Sequence, residues 1–161
     1  MRLAFFRLPN ETVNVAVLFA SQHGRTRKVV GEVVKHLEIT PDVFDVKQGI
    51  DGSRLANYDV LGFFCPTYGD EELPAAMEDF LAHFSVDLSG KRFLICELGN
   101  YYGYDDFSFG PMKAIRRRLF ELHGTELCEP LSLDSFPRTA WSHLLQWVEH
   151  VNKALQAHDR S

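Results

Sequence analysis

No apolar run in this sequence approaches the roughly 20 residues needed to cross a bilayer, so no membrane-spanning helix and no membrane partner are expected. Cysteine is scarce. Cys65, Cys96 and Cys128 are odd in number, lack metal-ligand spacing and lie at or near the ends of apolar runs. That argues against a disulfide framework and for reduced, strand-borne thiols in a cytoplasmic protein. The histidines show no ligand spacing either, so no metal site is expected. Positive charge is not in excess. The formal net charge is −5, which argues against nucleic acid as a partner. Two glycine signatures are also missing. Neither G-x-G-x-x-G nor G-x-x-x-x-G-K-[ST] occurs, so a dinucleotide fold and a nucleotide triphosphatase lose their usual evidence.

What is present suits one folded unit. The chain has 161 residues, 45% of them hydrophobic, enough for a full core. Residues 1–11 read as an N-terminal extension; their apolar part is too short for a signal-peptide core. The domain is expected over 12–157, with a short tail at 158–161.

Five apolar runs alternate with helical patterns. Strands are expected at 13–19, 43–46, 59–65, 91–97 and 127–133. Val29, Val30, Val33, Val34 and Leu37 recur at helical spacing after the first. A single helical turn is expected at 53–57. Leu73, Met77, Phe80, Leu81 and Phe84 mark a helix opened by Pro74. Met112, Ile115, Leu119 and Leu122 mark another, closed by Gly124. Trp141, Leu144, Leu145, Val148, Val151 and Leu155 mark the last. Repeated β-α alternation predicts a parallel sheet with helices on both faces. Ligands then bind at the carboxyl ends of the strands, where the strand order reverses.

The stretch 13–26 carries the first chemical signal. A buried strand feeds the polar loop Ser21-Gln22-His23-Gly24-Arg25-Thr26, and a helix follows. Such a unit aims backbone N–H groups and the positive end of a helix dipole at one point. Ser21 and Thr26 add hydroxyls. The expected guest is a phosphate; the plainer alternative is an empty structural loop. Arg25, Arg27 and Lys28 read first as an exposed helix face.

Three loops together resemble the flavodoxin family. The loop at 21–26 matches [ST]-x-T-G-x-T, with His23 in place of a hydroxyl residue. Pro66-Thr67-Tyr68-Gly69-Asp70 matches the family's second loop, and Glu72-Leu73-Pro74 its continuation. The third runs from Gly99 and Asn100 through Tyr104, Asp105, Asp106 and Phe107, with Asn100 in place of a frequent aspartate. The fifth strand runs straight into Asp134-Ser135-Phe136-Pro137, as in the short-chain type.

The resemblance implies a three-layer sandwich around a five-stranded parallel sheet of order 2-1-3-4-5. It implies FMN as cofactor, held by Ser21, Gln22, His23, Gly24, Arg25 and Thr26 at the phosphate. The ring would lie against Pro66, Thr67, Tyr68, Gly69 and Asp70, and against Leu98, Gly99, Asn100, Tyr104, Asp106 and Phe107. Tyr68 and Tyr104 would sandwich it, and the peptide at Gly69 would turn over on one-electron uptake. The ring N–H of His23 is the candidate replacement for the missing hydroxyl donor. Asp70, Glu71, Glu72, Asp105 and Asp106 would form an acidic rim facing basic redox partners. Lys113, Arg116, Arg117 and Arg118 form a basic run, read first as plain surface. No catalytic acid, base or nucleophile is expected. The implied function is transfer of single electrons between partner proteins, a donor reductase and an acceptor enzyme. Two alternatives stand beside it: an FMN-dependent quinone reductase, and a binding module that kept the fold without flavin.

Overall fold

The computed structural model describes residues 13–67, 72–99, 110–135 and 138–159. The first strand, β1 (Val15–Phe19), is buried along its whole length, as a central parallel strand must be. It is followed by α1 (Arg25–His36), β2 (Asp42–Asp45), β3 (Val60–Pro66), α2 (Ala75–His83) and β4 (Arg92–Gly99). The chain continues through α3 (Gly110–Glu121), β5 (Thr125–Glu126), β6 (Leu131–Asp134) and α4 (Trp141–Asp159).

All strand pairs are parallel, in the order β2-β1-β3-β4-β5, with β6 also on β4. The side chains of β1 alternate between two cores, as a strand's period of two requires. Val15, Val17 and Phe19 face α1 and α4, where they meet Val29, Val30, Val33, Leu144, Trp147 and Val151. Ala16 and Leu18 face α2 and α3, with Met77, Leu81, Ile115 and Leu119. Helix, sheet and helix form the expected three layers.

The crossover from β2 to β3 is two 3₁₀ turns, Val46–Gln48 and Gly52–Asn57; the second is the helical turn expected at 53–57. Each is capped by an aspartate side chain: Asp45 accepts from Lys47 N–H, and Asp51 from Ser53 N–H.

The fifth strand is broken. Phe93 pairs with Glu126 and Cys96 with Leu131, so five residues of the edge chain span three of β4. Pro130 lies in the gap and has no N–H for the ladder. The Glu129 carbonyl turns aside to accept from Trp147 Nε1 at 2.8 Å. The two extra residues are an even number, so β6 keeps its inward and outward faces in register.

The end of α3 is reversed relative to the usual glycine stop. His123, not Gly124, takes the left-handed backbone, with φ 72°. Its N–H donates to Phe120 O, and Gly124 N–H donates to Leu119 O at 2.9 Å, closing the helix. Gly124 is required for space instead. A Cβ there would lie 3.0 Å from Phe93 Cδ1 and 3.1 Å from the Leu119 carbonyl.

The basic run on α3 separates into structural and exposed members. Arg118 donates to the carbonyls of Leu81 at 3.1 Å and Phe84 at 2.6 Å, closing the end of α2. Arg116 pairs with Glu126 on β5, 2.6 Å between Nε and Oε1. Lys113 and Arg117 are exposed.

Candidate functional site

The chain passes from β1 out to β2, then returns across β1 to β3, so the loops after β1 and β3 part at the carboxyl edge of the sheet. A cavity of about 420 Å³ opens there. Its wall combines the loop after β1, the end of β3, the end of β4 and the residue after β6. This volume lies in the range of small-molecule sites.

The loop after β1 is a built turn. Ser21 Oγ accepts from Gly24 N–H at 3.1 Å. Gly24 has φ 82°, and its carbonyl receives the first intrahelical bond of α1, from Lys28 N–H at 3.0 Å. The N–H groups of Arg25, Thr26 and Arg27 precede that bond, so they point along the helix axis toward the cavity. Thr26 is buried with its side chain at the cavity wall, while Gln22 and His23 line the mouth and are exposed. Lys47 braces the loop from outside: its Nζ donates to Ser21 O at 2.9 Å.

Gly24 allows a direct test of this turn. A Cβ at Gly24 would meet nothing within 4 Å, so only its left-handed backbone resists a side chain. Gly24→Ala is expected to lower stability by about 1 kcal/mol, the usual size of left-handed strain. Chemical denaturation of the apoprotein checks the value; an unchanged midpoint would mean that the turn relaxes without strain.

Arg25 does not simply extend into solvent. Its Nη1 donates to Ser135 O at 3.2 Å, tying the first turn of α1 to the segment after β6. Pro66 ends β3 opposite Leu98, and Thr67 N–H donates to Leu98 O at 2.7 Å. Leu98 and Gly99, expected in a loop, prolong β4 because β6 continues to pair with them. Ser135 N–H donates to Gly99 O at 2.8 Å, which closes the wall.

The structure therefore brings together Ser21, Gln22, His23, Arg25, Thr26, Pro66, Thr67, Leu98 and Gly99 around one cavity, with Gly24 at its turn. Tyr68, Gly69, Asp70, Asn100, Tyr104, Asp106 and Phe107 lie outside the described residues, as do Glu71 and Asp105. Of the acidic rim, Glu72 is described, and it is exposed. Sequence reasoning passed over Ser135 and Lys47. Ser135 stood beside the quoted Asp134, but nothing local marks a serine that joins its site through a strand pairing. Cys65 and Cys96 are fully buried, and burial, then the nearby Glu97 carboxylate, pushes both thiols far above their ordinary range. Cys128 is half-buried and pushed up to about 11, chiefly by burial.

The fold and site define a class: a doubly wound α/β protein with a strand-turn-helix unit facing a cavity at the reversal of strand order. Within it, the flavodoxin family model matches residues 17–147, and the chain belongs to that family. A flavodoxin from Nitratidesulfovibrio vulgaris (strain DSM 19637 / Miyazaki F) is 27% identical over 153 residues, covering 88% of this chain and 99% of the relative. A Streptococcus pneumoniae TIGR4 flavodoxin structure superposes with a TM-score of 0.72 at 25% identity, covering 90% of this chain and 99% of that one. A Fusobacterium nucleatum flavodoxin bound to flavin mononucleotide gives 0.70 at 19% identity, with 89% and 95% covered.

Proposed function

We propose that this protein binds FMN non-covalently in the cavity at the β1 and β3 strand ends and carries single electrons between redox partner proteins. One observation carries the reading. The helix α1 N-terminus, the Ser21 hydroxyl and the Thr26 hydroxyl converge on a cavity at the strand-order reversal. The donor set is right for a phosphate ester, and the Pro66, Thr67, Leu98 and Gly99 wall leaves room for a flat ring.

FMN supplies the one-electron chemistry when bound; the protein supplies position and electrostatics. Backbone N–H groups at 25–27 and the hydroxyls of Ser21 and Thr26 meet the phosphate. Arg25 holds the first turn of α1 against Ser135, and Lys47 holds the loop from the other side. Both keep the donors aimed before the ligand arrives, which reduces the ordering cost of binding. The exposed carboxylate of Glu72 suits a basic partner surface. The reduced cytoplasm suits its three free thiols.

An anaerobic redox titration of the FMN-loaded protein tests the carrier reading. Two one-electron steps are expected, separated by more than about 59 mV, the spacing for a tenfold population ratio. A single two-electron step, with steady NADPH oxidation by an added quinone and no added reductase, would replace the carrier by the quinone reductase.

A further inference from the structure

A carboxyl side chain occupies the interior of the sheet. Glu97 is fully buried on β4, between Cys96 and Leu98. It lies two and four residues beyond Ile95 and Phe93, so its side chain is on the same face, covered by α2 and α3. An ionised carboxylate in such a place is unfavourable unless hydrogen bonds hold it. Two are present. Oε2 accepts from Met112 N–H at 3.0 Å, in the first turn of α3, where the helix dipole favours negative charge. Oε1 accepts from Ser132 Oγ at 2.9 Å on β6.

One carboxylate thus joins β4, β6 and α3. The residues that continue β4 and β6 are cavity wall. Leu98 and Gly99 follow Glu97 directly, and Ser135 lies three residues beyond Ser132. Thr67 is hydrogen-bonded to Leu98, and Ser135 to Gly99. Fixing Glu97 therefore fixes the β4 and β6 wall of the cavity. Nothing in apolar packing requires a charge here.

We propose that Glu97 is a positioning residue for the bound flavin: it holds the β4 wall of the cavity through Met112 and Ser132, and its fixed charge behind that wall keeps the flavin's reduction potentials low. The proposal rests on the FMN reading. Reduction adds negative charge to the ligand, and a buried carboxylate opposes it through a medium of low dielectric. Salt screens exposed acids but reaches this one far less. The effect of Glu97 is therefore separable from that of any surface rim.

Glu97→Gln separates charge from framework. Its amide oxygen accepts from Met112 N–H, and its NH₂ donates to Ser132 Oγ, whose hydroxyl rotates away. A purely structural role leaves the potentials of this variant unchanged. Wild type, Glu97→Gln and Glu97→Ala are compared by thermal unfolding of the apoprotein, FMN and riboflavin titration, and anaerobic potentials at low and high salt. For Glu97→Gln the FMN Kd is expected within about threefold of wild type, as for a surviving hydrogen-bond frame. Its potentials rise, and the rise persists at high salt. Glu97→Ala is expected to weaken FMN and riboflavin alike, by about tenfold, because an N–H and a hydroxyl lose their acceptor. If Glu97→Ala does not fold, the potentials of Glu97→Gln decide alone. Unchanged potentials in Glu97→Gln, or a rise that vanishes in salt, overturn the proposal and leave the FMN reading standing. A wild type that binds no FMN overturns both.

Discussion

Replacing Ser21 and Thr26 by alanine together is expected to weaken FMN by about 100-fold and to leave riboflavin within about threefold. Both hydroxyls reach the cavity beside the N-terminus of α1. A hydrogen bond to a charged group contributes about 1.5–3 kcal/mol, and two that share one phosphate add to less than their sum. About 3 kcal/mol remains as the joint loss. The helix N–H groups are untouched, so binding survives. Ser21 has a second duty, because its Oγ accepts from Gly24 N–H. Its loss also loosens the turn, which the riboflavin control detects. Equal losses for the two flavins would mean that the cavity itself had collapsed. A loss confined to FMN assigns the loop to the phosphate.

Arg118→Ala is expected to destabilise the apoprotein by about 2–3 kcal/mol, while Arg117→Ala changes it by less than about 0.5 kcal/mol. The two are neighbours on α3 with opposite surroundings. Arg118 is partly buried and donates to Leu81 O and Phe84 O, two carbonyls at the end of α2. Removing it leaves both without a donor, and a charged hydrogen bond is worth about 1.5–3 kcal/mol. Partial solvent access keeps the total below the sum. For a domain of this size the loss corresponds to about 4–12 °C in Tm. Arg117 is exposed. If both variants unfold at the same temperature as wild type, the staple between α3 and α2 contributes nothing. Arg118 also limits any docking role for the basic run, because it is already committed within the fold.

The architecture was readable where periodicity is strong. The unbroken apolar runs around Val17 and Phe63 gave central strands, and the valines of α1 gave a helix buried on one face. The turn that opens α1 was readable because hydroxyl, glycine and helix start follow one another in sequence. Local pattern failed where long-range pairing decides. Leu98 and Gly99 read as loop because their strand partner, β6, comes over 30 residues later. Pro130 announces a break in the edge strand, yet Leu127, Cys128, Leu131 and Leu133 on its two sides concealed it. The roles of Ser135, Lys47 and Arg118 were not legible for one shared reason. Each acts through a backbone carbonyl or N–H of a distant segment, and such partners leave no signature in residue type. Glu97 was read as the end of a strand, since a lone carboxylate in an apolar run carries no sign of what will satisfy it.

The most direct test is a fluorescence-quenching titration of the wild-type apoprotein with FMN and with riboflavin under one set of conditions. A loop that reads the phosphate predicts FMN tighter by at least about 100-fold, from two or more charge-assisted hydrogen bonds. Equal affinities, or no quenching by either flavin, would contradict it.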